Sequence, residues 1–329
     1  MKRIVSRLVA GVVVGVAVYV GFSIWADVGR VGEALRAFRW RFAALACLLA
    51  AANYGVRFLR WQYYLRRVGV VTVSPRDSLQ VFLAGFALTV TPGKLGEAVK
   101  AVLLRASHRI PMAKTAPIVI AERVTDLVAL LLLATVGVFS YDVDRRFLVA
   151  GAVLVVAGLT VVSVDPVAKA AIAIAGRLPI LRRFAHRLDD AHAHTAILLA
   201  PLSLVMATAL ATISWFFECL AFYFVVRGFP GAHIGLQGAT FFYAATTVAG
   251  ALSFLPGGLG VTEAGMLALL GRLAGIEKGT AAAATFVTRA ATLWFAVALG
   301  LPALLLYARR KHVDIDADVA RSRPADGVP

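Results

Sequence analysis

Charge is scarce in this sequence. Asp, Glu, Lys and Arg make up 16% of 329 residues, against about a quarter in an ordinary soluble domain. Cysteine is scarcer still: Cys47 and Cys219 each sit inside an apolar run, which excludes a disulfide framework. No Gly-rich phosphate loop is present, so ATP hydrolysis is not expected. No Ser/His/Asp set falls at membrane depth, so the chain is not read as an enzyme, and no cofactor or metal is expected. What fills the sequence instead is apolar: 60% of residues, with a mean hydropathy of +0.82. That composition belongs to an integral membrane protein. The formal charge of +16 then reads as loop charge facing anionic lipid rather than as a nucleic-acid surface.

A membrane-spanning helix needs about 20 mostly apolar residues. Six clear spans meet this: Leu8–Trp25, Phe42–Leu59, Ala116–Phe139, Phe147–Val164, Pro201–Val226 and Ala281–Tyr307. The first follows Lys2, Arg3 and Arg7 and lacks a good cleavage site, so it reads as a retained anchor. Two more apolar stretches, Leu79–Thr91 and Leu236–Leu255, run into Pro-Gly breaks. The first is short for a span, while the second is long enough to cross alone. Ser74-Pro75-Arg76-Asp77 predicts a helix start, with Ser74 as N-cap and proline in the first turn.

The breaks are the most informative feature. They read Pro92-Gly93-Lys94-Leu95-Gly96-Glu97 and Pro256-Gly257-Gly258-Leu259-Gly260-Val261-Thr262-Glu263, starting 164 residues apart. A short apolar segment follows each (Ala98–Leu104, Ala264–Leu270), then a span with an arginine in its first third, Arg123 or Arg289. The Pro-to-Arg spacings are 31 and 33 residues. This reads as an internal duplication, with halves at about 79–139 and 236–307.

If both breaks are re-entrant and the N-terminus is inside, 23 basic residues fall inside and nine outside, leaving Arg123 and Arg289 at membrane depth. That bias obeys the positive-inside rule, although the first outer loop is unusually basic. Both termini are then expected in the cytoplasm of a cell whose inner membrane holds the chain. The two halves run in opposite directions, as in many secondary transporters, which bind substrate between broken helices near the midplane. The expected fold class is an all-α polytopic membrane protein, with six spans and two broken re-entrant segments as inverted repeats. One transmembrane domain covers 1–310. A basic cytoplasmic loop at 165–200 and a disordered tail at 311–329 complete the reading.

A charge at a helix centre costs about 2.5–3.5 kcal/mol on insertion scales and needs a reason. The unexplained ones are Lys94, Glu97, Glu122, Arg123, Asp126, Glu218, Glu263 and Arg289. Arg123 can pair with Asp126 at i,i+3 or reach the interface. Arg289 has no carboxylate within four residues, so Glu263, Glu97, Glu218 or a ligand must supply its partner. A half-helix starting after Pro-Gly aims free amides at the break, a natural seat for phosphate. Lys94, Glu97, Arg123, Arg289 and Glu263, with Gly93, Gly257 and Gly258, are therefore the candidate substrate-binding residues. Thr262 and Glu263 equally suit a capping role. Glu122, Asp126 and Glu218 are candidates for carrying a coupling proton or ion, and Glu218 suits a hydrogen bond to a neighbouring helix as well.

At Pro92–Glu97, Glu122-Arg123-Val124-Thr125-Asp126 and Leu255–Glu263 the chain resembles the flippase-like membrane domain of lysylphosphatidylglycerol synthases, over about residues 5–310. The resemblance implies that Gly93, Glu97, Glu122, Arg123, Asp126, Gly257, Gly258 and Glu263 are functional positions. It also implies movement of a phospholipid between leaflets, here without the soluble transferase domain that makes the lipid. The expected partners are membrane lipids with an anionic headgroup. The alternative is a non-transporting membrane partner of a lipid- or glycan-synthesis enzyme.

Overall fold

The computed structural model describes residues 24–90, 99–138 and 194–311, together with 17–22 and the single positions 13, 15, 149 and 153. The first Pro-Gly break lies outside the described residues, and so does nearly all of the expected span at 147–164. The same holds for most of the 8–25 segment, for the basic loop up to 193, and for the tail after 311. Among the described residues every regular element is helical. In order they are α1 (Val28–Ala37), α2 (Arg41–Arg67), α3 (Pro75–Phe86), α4 (Val99–His108) and α5 (Met112–Val138), then α6 (Pro201–Arg227), α7 (Leu236–Leu252), α8 (Val261–Arg272) and α9 (Lys278–Arg310). Helix α9 carries one π turn, Ala290–Trp294.

Among the described residues three helices are long and apolar enough to cross a membrane: α2, α6 and α9. They match three of the six spans expected; those at 8–25 and 147–164 lie largely outside the described residues. Helix α5 has the same length as α2 and α6, but Glu122, Arg123 and Asp126 interrupt its apolar run. The predicted start of α3 is present, with proline in the first turn and Ser74 Oγ accepting from the Asp77 amide at 3.1 Å.

The two halves share one element order. A helix (α3 or α7) precedes the break, a short helix (α4 or α8) follows it, and a long helix (α5 or α9) closes the half. Packing between them is reciprocal: α3 packs against α9, and α7 packs against α5. Helices α2 and α6, which belong to neither half, pack along each other and brace the bundle.

Apolar side chains form two cores, and the long helices pass from one to the other. On α5, Ile118 and Ala121 belong to the first core, and Ala129, Leu130, Leu133 and Ala134 to the second. On α9 the change falls between Ala291 and Leu293, within the π turn. The charged stretch of α5, from Glu122 to Asp126, sits at this changeover and, with the buried charges around it, forms a polar layer.

At the end of the first core, Asp77 at the start of α3 ties three elements together. It accepts from Arg310, pairs with Lys311 Nζ at 2.9 Å, and lies 3.3 Å from His108 Nε2. Alongside it, Ser107 Oγ and Tyr307 Oη are 2.6 Å apart. Burial alone would raise the Asp77 pKa, but Lys311 and Arg310 outweigh it and hold the carboxyl below the usual aspartate value. A depressed folded pKa stabilises fully above the unfolded value of about 3.9 and is lost as pH falls through the folded one. Acidification of the detergent-solubilised protein from pH 7 to pH 3 is therefore expected to lower its melting temperature more in the wild type than in Asp77→Asn. The variant should start lower at pH 7, and parallel curves would refute the contribution.

Candidate functional site

Each buried carboxylate at the level of the polar layer meets a donor from a neighbouring helix. Glu122 on α5 receives Lys100 Nζ of α4 at 2.6 Å, and both side chains are almost wholly buried. The Lys100 ammonium also lies 4.5 Å from the centre of the Trp61 ring, a cation–π contact. Asp126 Oδ1 accepts from Arg60 Nη2 at 2.7 Å and from Trp215 Nε1 at 3.1 Å, while its Oδ2 lies 3.1 Å from Arg123 Nη2. Glu218 on α6 accepts from the Tyr243 hydroxyl of α7. Glu263 on α8 receives Arg289 Nε at 2.6 Å.

The second break is built around this last pair. Gly257, Gly258 and Gly260 all have positive φ, a backbone form that L side chains rarely adopt. Close approach adds a second demand on glycine. A Cβ at Gly250 would lie 2.0 Å from Thr262 Oγ1, and one at Gly258 would lie 3.1 Å from Gly250 Cα. The turn exposes carbonyl and amide groups, and the buried pair takes them up. Arg289 Nη2 donates to the Gly257 carbonyl at 2.6 Å, and Glu263 Oε2 accepts from the Gly260 amide at 2.7 Å. Glu263 thus caps its own half-helix and pairs with Arg289 at once. The amide seat at this break holds a carboxylate of the chain itself.

The π turn follows Arg289 directly. A π turn disturbs the regular backbone ladder and often marks a functional position. Here the Tyr54 hydroxyl donates to the Thr292 carbonyl at 2.8 Å, linking α2 to this turn.

Between these groups lies a cavity of about 300 Å³. Its wall carries Arg57, Arg123 and Arg289 with the carboxylates Asp126 and Glu218. Gly257 and Gly258 supply backbone, and Leu127, Leu130 and Leu293 supply apolar surface. Of the residues expected from the sequence, Arg123, Asp126, Glu218, Arg289, Gly257 and Gly258 meet here. Glu122 and Glu263 are not on the wall and are engaged by Lys100 and Arg289. Gly93, Lys94 and Glu97 lie outside the described residues.

Three cations read from the sequence as loop charge are corrected by the structure. Arg57 and Arg60 belong to α2, which continues past the apolar run to Arg67, and both are buried. Lys100, on α4, is buried as well. One signal was available: Asn53, Tyr54, Arg57, Arg60, Trp61 and Tyr64 recur at helical spacing along one buried face.

The chain matches the family described as "Lysylphosphatidylglycerol synthase TM region" over residues 12–300. It belongs to that family. A UPF0104 membrane protein of Methanothermobacter thermautotrophicus is 27% identical over 318 residues, covering 89% of this chain and 93% of the relative. Another, from Pyrococcus horikoshii, is 24% identical over 317 residues, covering 88% and 94%. The chain is thus similar to membrane proteins that it matches almost end to end.

Breaking a buried ion pair by removing one partner typically costs about 3–5 kcal/mol, whereas replacing both by apolar groups is often neutral. Lys100→Met is therefore expected to lower the melting temperature sharply and Lys100→Met/Glu122→Leu to recover most of the loss. Equal melting of the two variants would show that Lys100 and Glu122 are not coupled. Gly250→Ala should be destabilised by about 1–3 kcal/mol through overpacking. Thr262→Ala in the same chain should restore part of that stability, because it removes the hydroxyl the new methyl group meets.

Proposed function

We propose that this protein is a lipid translocase. It moves an anionic phospholipid or a lipid-linked phosphate between leaflets without hydrolysing ATP. The observation that carries this reading is the cavity, walled by charged side chains and by residues of both apolar cores. At about 300 Å³ it falls at the low end of small-molecule sites, enough for a headgroup while the acyl chains stay in lipid. In the described polar layer Arg57, Arg60, Lys100, Arg123 and Arg289 outnumber Glu122, Asp126, Glu218 and Glu263 by one. An anion restores that balance, and a charge-assisted hydrogen bond to phosphate is among the stronger polar contacts.

Inverted repeats supply the movement in this proposal. Reciprocal packing of α3 on α9 and of α7 on α5 is what two interlocked halves related by a pseudo-twofold axis would produce. The basic ends of α2, α4 and α9 (Arg66 and Arg67, Arg105, Arg309 to Lys311) then face the cytoplasm of an inner membrane. Asp126 and Glu218, which line the cavity, are the carboxylates best placed to carry a coupling proton.

Liposomes with fluorescent phosphatidylglycerol in one leaflet test the proposal. The purified chain should speed flipping above empty liposomes. Arg123→Gln removes a cavity charge that is 27% exposed, so the fold should persist. It should slow flipping about ten- to a hundredfold, the value of one or two hydrogen bonds to a charged group. No flipping of phosphatidylglycerol or of a polyprenyl phosphate would overturn the reading. It would favour a protein that only docks a lipid-using enzyme.

A further inference from the structure

We propose that the α1–α2 corner and the outer face of α9 form a second lipid site, which holds one anionic phospholipid by headgroup and acyl chain. It is separate from the central cavity and does not rest on translocation. An apolar trough of about 530 Å³ runs between the start of α2 and the middle of α9. Trp40, Ala43 and Cys47 form one wall, and Phe286, Trp294 and Phe295 the other. Tyr19 fixes the second wall: its ring packs 5.1 Å from Phe286, and its hydroxyl accepts from Trp294 Nε1 at 2.7 Å.

The corner above the trough is rigid and basic. Phe38 is buried against Phe229, with ring centres 4.5 Å apart, and the Arg39 amide donates to the Gly228 carbonyl at 3.1 Å. That clamp presents Arg36, Arg39, Trp40 and Arg41 to the outside, all exposed. From Val28 to Asn53 the sequence holds four arginines and a single acid, Glu33. The acids at the other end of α1, Asp27 and Glu277, face Arg30 at 3.8 and 3.3 Å and do not reach Arg36, Arg39 or Arg41, the last of which lies 5.2 Å from the Phe42 ring centre. This is the basic outer loop that the positive-inside rule leaves unexplained.

Depth ties the two parts together. Exposed tryptophans mark the membrane–water interface, and Trp25 and Trp40 are both more than half exposed at this end of the bundle. Arg36, Arg39 and Arg41 thus sit at headgroup level. Cys47 lies seven residues further along α2, about 10 Å deeper at 1.5 Å per residue. Phosphate at the arginines with an acyl chain along the trough fits both ends at once. A zwitterionic lipid fits the trough but not the charge. The π turn separates this trough from the central cavity: Ala290, Ala291 and Trp294 face the trough, whereas Thr292 and Leu293 face the cavity.

The test uses the full chain in nanodiscs, with phosphatidylglycerol carrying a photoactivatable acyl chain. Crosslinks should map by mass spectrometry to 40–47 and 286–298, and unlabelled phosphatidylglycerol should compete for them better than phosphatidylcholine does. Each basic residue near an anionic lipid is worth several-fold in affinity, so Arg36→Gln/Arg39→Gln/Arg41→Gln should weaken competition on the order of a hundredfold. The matching triple lysine variant should keep the preference, which separates charge from fold. Ala43→Trp should abolish crosslinks in the trough for either lipid. Crosslinks elsewhere, equal competition by phosphatidylcholine, or an unchanged preference in the glutamine variant would overturn the proposal. Because the readout is binding, its failure leaves the translocation assay untouched, and the reverse holds too.

Discussion

A carboxylate or a guanidinium taken out of water needs a partner of opposite charge or a good hydrogen bond, because its desolvation outweighs any single apolar contact. Much of the layout of this bundle follows from that requirement. Four buried carboxylates lie at the level of the polar layer, and each meets a donor from a different element. Lys100 and Glu122 join α4 to α5, and Asp126 joins α5 to α2 and α6 through Arg60 and Trp215. Tyr243 joins α7 to α6 at Glu218, and Arg289 joins α9 to α8 at Glu263. Apolar packing between helices is weakly directional, as lipid tails are no less apolar than leucine. Polar contacts of this kind specify which helices are neighbours.

The same requirement explains what was legible in the sequence. Long apolar runs announce helices, and α2, α6 and α9 lie where those runs do. Arg289 was legible as well, because the absence of a nearby acid forces its partner to come from elsewhere, and Glu263 was among the few acids available. Arg57, Arg60 and Lys100 were not, for a physical reason. They stand at the edge of an apolar run or in a short helix after a break, where charge ordinarily meets water. Only the fold shows that α2 continues helical to Arg67 and that α4 is covered on the Lys100 side. The contacts of Trp215 with Asp126 and of Tyr54 with Thr292 span 89 and 238 residues, and no local pattern encodes them. Nor does a π turn have a composition that betrays it.

The polarity of the two break-side ion pairs carries the reasoning further. In each half, a residue of the short helix pairs with one in the first part of the long helix. In the first half the cation is on the short helix (Lys100) and the anion on the long one (Glu122); in the second half the signs are exchanged (Glu263, Arg289). Burial demands neutrality of the pair and is indifferent to which partner carries which sign. The exchange has a consequence for the cavity. Arg289 is held by its pair and by the Gly257 carbonyl, whereas Arg123, which the break-to-arginine spacing makes its counterpart, is not part of the Lys100–Glu122 pair. Arg123 stands beside Asp126 on the wall, more exposed than Arg289. One arginine is thus tied to the Pro256–Glu263 break, and the other meets Asp126 of its own helix at the cavity wall.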